Sequence, residues 1–176
     1  MHGHHSDRVT TLRGHDLRWH QTPRKRLGPT AYAGAAKIGV GGSPESVVRA
    51  ARHQLPMMLA IIGGEPMRFK PYADLYRRTC AKLQIATPEI GVHSPGYVAA
   101  CDEAAREEFY GDYKAMRDRI GAERGWGPMA RAEFDREVEL GSLYVGSPET
   151  VAQKIAATAR GLGLSRFDLK YSAGGL

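Results

Sequence analysis

A chain of 176 residues with 42% hydrophobic and 25% charged residues is long enough for one domain with its own core and has the composition of a soluble globular protein. No apolar run approaches the ~20 residues of a membrane span. No apolar signal segment is visible, and Cys80 and Cys101 sit in no metal-binding spacing, which points to reduced thiols and a cytoplasmic location. The net charge of +6 is concentrated at the front: residues 1–30 hold six Arg/Lys against two Asp, so the rest of the chain carries only +2, with alternating sign. That is the pattern of solvated helices and argues against nucleic acid as a partner.

Residues 1–35 form an atypical leader, rich in His and Arg and poor in aliphatic residues, with no sustained period. It reads as a poorly ordered tail. His2, His4 and His5 lack a spaced second pair of ligands, so no metal site is expected. Residues 36–176 have a different texture. Lys37–Val40 reads as a strand, followed by Gly41-Gly42 and a helix over Pro44–His53. Ser43 suits the N-cap, Pro44 the first helical position and Glu45 the positive end of the helix dipole. Free N–H groups at such an end, beside the hydroxyls of Ser43 and Ser46, suit a phosphate, although the same residues equally start a helix that binds nothing.

Met57–Ile62 is a continuous apolar run, expected as a strand buried on both faces. Gly63-Gly64 ends it, and Pro66 opens a helix to about Leu83 with Phe69, Tyr72, Tyr76, Thr79, Cys80 and Leu83 on its packing face. Pro71 implies that this helix starts properly only there, or kinks. Glu89–His93 reads as a short strand ended by Ser94-Pro95-Gly96, which puts His93 at a strand tip as a candidate to orient a substrate. The bland alternative is a turn residue bonded to backbone. A long helix spans about Tyr97–Ile120, and a short one Arg131–Val138. GSPETV at 146–151 then nearly repeats GSPESV at 42–47; Ser147 caps a helix to about Arg160 that stops at Gly161/Gly163. Arg166–Ser172 is the last strand. Strand–helix alternation four times over, with short glycine turns, predicts βα units, a parallel sheet, and ligands at the carboxyl ends of the strands.

The stretches GVGGSPESVVRAARHQLPMMLAIIGGEPMRF, GVHSPGYVA, DEAAREEFYGDYKAMRDRIG, YVGSPETVAQKIA and RFDLKYS together resemble the C-terminal half of luciferase-like flavin-dependent monooxygenases, over about residues 36–172; residues 1–35 do not. The resemblance implies an α/β fold, a partial (β/α)8 TIM barrel of about four βα units. It implies reduced FMN as cofactor, with a deazaflavin as the alternative, and a flavin reductase and a small organic substrate as partners. Carried over by residue, it places the flavin phosphate at Gly42, Ser43 and Ser46. No catalytic residue follows from it, and no metal is required.

A complete barrel of this kind takes about 250 residues. The chain is therefore expected to be a fragment with little monooxygenase activity alone. Its open edges are expected to favour a homodimer. A non-catalytic half-barrel that binds a phosphate ligand, or only dimerises, is the competing reading.

Overall fold

The computed structural model describes residues 9–13, 20–22, 38–40 and 43–171. In chain order the elements are β1 (Val9–Arg13), β2 (His20–Thr22), β3 (Ile38–Val40), α1 (Pro44–Arg52), β4 (Met57–Ala60), a 3-10 turn (Pro66–Phe69), α2 (Lys70–Lys82), β5 (Ile90–Val98), α3 (Asp102–Arg124), α4 (Arg131–Glu139), β6 (Tyr144–Gly146), α5 (Pro148–Leu162) and β7 (Arg166–Lys170). The sheet runs β2-β1-β7-β5-β4-β3, with β6 paired to the far end of β5. Strands β3, β4, β5, β6 and β7 are mutually parallel, while β1 lies antiparallel to β7 and to β2.

The leader expected to be poorly ordered thus contributes two strands. The β-branched Val9, Thr10 and Thr11 suit a ladder, and the edge of β7 supplies the partner. The histidine triplet at positions 2, 4 and 5 lies outside the described residues.

Parallel pairing aligns the side chains in rows. Met57 and Leu59, Ile90 and Val92, and Phe167 and Leu169 share one face and form a single core with Val47, Ala50 and Ala51 of α1, Ala73, Tyr76 and Cys80 of α2, and Val151, Ile155 and Leu162 of α5. The alternate residues therefore occupy the opposite, inner face: Met58 and Ala60, then Gly91, His93 and Pro95, then Arg166, Asp168 and Lys170. The run 57–62 is consequently not buried on both faces; Met58 and Ala60 are half-buried and Ile62 is 67% exposed. A second core joins α3, α4 and β6 through Ala105, Phe109, Tyr113, Phe134, Val138 and Val145.

Two helix boundaries follow from local chemistry. The α-helix α2 begins at Lys70, with Pro71 in its first turn where a missing N–H costs nothing, after a 3-10 turn opened by Pro66. α5 ends at Gly163, whose φ of 63° is the left-handed cap that glycine adopts without strain. Leu83, placed on the packing face of α2 by its spacing, is the C-cap of that helix and is 44% exposed.

The larger departure is β5. Ser94-Pro95-Gly96 does not end the strand. β5 continues through it, trading its partner β7 (Pro95↔Lys170) for β6 (Gly96↔Tyr144). Pro95 sits where the β7 ladder gives out, so its missing N–H is tolerated. Gly96 lets β6 close in: a Cβ there would lie 2.3 Å from the Tyr144 carbonyl oxygen. His93 is accordingly inside β5, on the inner face, rather than at a strand tip, because the sequence signal for a turn marks an exchange of partners.

Candidate functional site at the strand tips

The mouth of α1 follows the carboxyl end of β3. Ser43 is the N-cap, with extended backbone (φ −113°, ψ 125°), and its Oγ accepts from the Ser46 amide at 3.4 Å. The same hydroxyl donates to Glu45 Oε2 at 2.5 Å. That hydrogen bond, together with one from Glu45's own backbone, holds the Glu45 carboxyl below the usual carboxylate range. An exposed carboxylate therefore folds over the helix end, where the dipole and free amides favour negative charge. Ser46 is half-buried beside it. Gly42 lies outside the described residues.

The second copy of the motif is built differently. At α5, Ser147 caps the Thr150 amide at 3.2 Å, but the anion at the helix mouth is Asp102, reaching in from the first turn of α3. Its Oδ1 accepts from the Ser147 amide at 2.6 Å and its Oδ2 from the Thr150 hydroxyl at 3.0 Å. The Ser147 amide bond is the main cause that pulls the Asp102 pKa down. Gly146 is required by the fit: its φ is 158°, and a Cβ would lie 2.7 Å from Asp102 Oδ1. The α5 mouth is thus filled by a carboxylate fixed from a separate helix, and it works as a structural joint. Among the described residues, the α1 mouth carries only a short-range, solvent-exposed one.

His93 pairs laterally with Ala60 on one side and Asp168 on the other. Burial, and then the Lys170 ammonium, lower its pKa against the opposing pull of Asp168, so the imidazole is neutral at pH 7. Asp168 Oδ1 accepts from Arg166 Nε at 2.6 Å. Ser94, which the sequence grouped with His93, points the other way; it is fully buried and donates to the Ile61 carbonyl at 2.8 Å, tying β5 to the end of β4.

Sequence reasoning missed a clamp on the turn after β4. The Gly63 amide donates to Ser142 Oγ at 2.6 Å, and the Gly64 amide to the Glu137 carboxylate at 3.0 and 3.1 Å. The clamp is anchored from behind by Lys154 of α5, which donates to the carbonyls of Val138 (2.6 Å) and Leu143 (2.8 Å). Burial pushes the Lys154 pKa down to about 8. The spacing of these residues, 73 and 79 positions from their partners, leaves no local pattern to find. A groove of about 500 Å³ lined by Pro44, Glu45, Val48, Arg49, Arg52, His53 and Leu75 runs along the flank of α1 from its first turn to its C-terminal end.

Comparisons with known proteins bear on this frame. The crystal structure of the monooxygenase RslO1 from Streptomyces bottropensis superposes with a TM-score of 0.63 at 22% identity, covering 80% of this chain and 41% of that one. The oxygenating constituent of 3,6-diketocamphane monooxygenase from the CAM plasmid of Pseudomonas putida, a type II Baeyer-Villiger monooxygenase in complex with FMN, gives 0.56 at 15% identity, covering 92% and 51%. Riboflavin lyase, with modified FMN and riboflavin, gives 0.51 at 13% identity, covering 92% and 44%. The chain spans about half the length of these structures, and its parallel strands and helices correspond to part of their barrel fold. A search of the curated proteins gives no match. The family model for luciferase-like monooxygenases matches residues 3–166 and so extends over the leader that the sequence reading set apart. The chain belongs to the luciferase-like monooxygenase family.

Proposed function

We propose that the chain is a flavin-dependent oxidoreductase of the luciferase-like type, acting in the cytoplasm on a small organic substrate, with the flavin phosphate held at the α1 mouth by Gly42, Ser43 and Ser46. The observation that carries this reading is the contrast between the two helix mouths. The α5 mouth is closed by the immobilised Asp102. At the α1 mouth, among the described residues, the exposed Glu45 alone competes for the cap. A phosphate dianion, with more charge and more acceptor oxygens than one carboxylate, displaces Glu45 and takes the Ser43 and Ser46 hydroxyls and the helix-end amides. Bound reduced FMN, delivered by a separate reductase, supplies the oxygen-activating chemistry. The chain's own residues hold and orient it at the strand tips.

Titration of FMN followed by quenching of its fluorescence tests this. The Ser43→Ala/Ser46→Ala double variant is expected to weaken binding about tenfold, the loss of roughly 1.4 kcal/mol of charge-assisted hydrogen bonding. Equal affinity of wild type and variant overturns the assignment. A deazaflavin carries a comparable phosphate, and the absorbance of a copurified cofactor separates the two. Because the chain spans 41–51% of the two monooxygenases it superposes on, we also propose that it turns over poorly alone. Robust substrate-dependent oxygen uptake by the purified chain with reduced FMN refutes that.

A further inference from the structure

The inner face of the sheet has a sharp chemical division that the phosphate site does not use. Met58 and Ala60 of β4 and Pro95 of β5 make an apolar floor around His93; Met58 lies across Gly91, where a Cβ would stand 2.8 Å from its Cε. On the β7 side the same face carries a row of charge, Arg166, Asp168 and Lys170. Arg166 and Asp168 neutralise each other. Among the described residues Lys170 has no ion-pair partner, and it is exposed. His93 stands on the boundary, beside Asp168 in the register and diagonal to Lys170, which pairs with Pro95. We propose that this face binds the substrate and that the substrate is an organic acid, its carbon skeleton on the Met58–Ala60–Pro95 floor and its oxygen-centred anion between Lys170 and the His93 N–H.

The inference rests on the flavin reading for calling the ligand a substrate, but its binding chemistry does not require flavin. A cation and a neutral hydrogen-bond donor side by side favour an anion over an uncharged oxygen. A floor made of Met58, Ala60 and Pro95, with the Met58 side chain lying across Gly91, leaves apolar area for a hydrocarbon body to cover. Among the described residues of the neighbouring strands, the charged groups on the face of His93 are on β7, since β4 offers Met58 and Ala60 there. An anion bound beside the imidazole stabilises its protonated form and raises its pKa, so the His93 resonance reports occupancy directly.

The test uses the full chain labelled with 13C-histidine, the His93 signal assigned with His93→Gln, and octanoate and octanol as probes of equal chain length. Octanoate is expected to move the His93 titration to higher pH and to bind at least about tenfold more tightly than octanol. Lys170→Met is expected to abolish that preference. Asp168→Asn, which frees the Arg166 guanidinium, is expected to tighten octanoate. Octanol binding as tightly as octanoate, a preference that survives Lys170→Met, or a His93 signal indifferent to octanoate each overturns the proposal. FMN quenching measured on the same samples, sensitive to Ser43 and Ser46 but not to Lys170, reports separately on the flavin reading.

Discussion

Glu45 is the residue on which the cofactor reading turns. Its carboxylate shares the Ser43 hydroxyl and the α1 mouth with any incoming phosphate, so it is a competitor. Glu45→Gln removes the charge while keeping the shape, and FMN is expected to bind roughly three- to tenfold more tightly to this variant, with helix content unchanged by circular dichroism. Weaker binding would mean that Glu45 supports the ligand.

Lys154 makes a second prediction at this scale. Its pKa is lowered to about 8 by burial against an unfolded value near 10.4. Between those values the unfolded chain binds more protons than the folded one, so stability rises with pH across the window. Above about pH 10 the sign reverses. Tyr76, Tyr113 and Tyr144 have pKa values raised to about 12, by burial first, so they ionise earlier when unfolded. Urea midpoints from pH 7.5 to 9.5 are expected to climb for wild type and to flatten in Lys154→Met; parallel profiles would sink this account. Ser43 as a cap was legible in the sequence because capping is local. Asp102, Glu137 and Lys154 were not, because their partners lie 11 to 73 positions away and follow from how helices stack.

Among the elements, β5 shows where sequence punctuation misleads. Most boundaries could be read directly. Pro44 and Pro148 start helices and Gly163 ends one, each through a backbone requirement that no packing overrides. Ser94-Pro95-Gly96 carries the same residues for a different reason, the handover from β7 to β6. The glycine there is needed for close approach. A Cβ at position 96 would meet the Tyr144 carbonyl oxygen at 2.3 Å and Leu169 Cδ1 at 2.4 Å. One of these is backbone and cannot rotate aside. Gly96→Ala is therefore expected to cost about 1–3 kcal/mol in urea unfolding, with loss of exchange protection at the β6 amides first. Gly111→Ala, at a helical site with nothing within 4 Å of the added carbon, is the control and should be neutral or slightly stabilising. Equal effects at both positions would remove the close-approach argument.

At the scale of the whole molecule, alternation of strand and helix was enough to predict a parallel sheet, since a parallel pair needs a crossover and the helices supply it. What the pattern could not give is how the sheet ends. One end closes on the antiparallel hairpin of β1 and β2, which covers the edge of β7. At the other end β3 has a single partner among the described strands, β4, and a parallel strand with an open side offers unpaired N–H and C=O groups to whatever can meet them. A second copy of the chain, related by a two-fold axis at β3, would meet them in an isologous contact that closes on itself and leaves both inner faces accessible. Sedimentation velocity is expected to show a reversible dimer that dissociates on dilution. Gly39→Lys, which places a charge on the edge strand, is expected to shift the equilibrium to monomer while leaving FMN affinity unchanged, because the α1 mouth belongs to each copy separately. A wild-type chain that stays monomeric at every concentration excludes the β3 interface, and a dimer untouched by Gly39→Lys moves it elsewhere, to the helical layer outside the sheet.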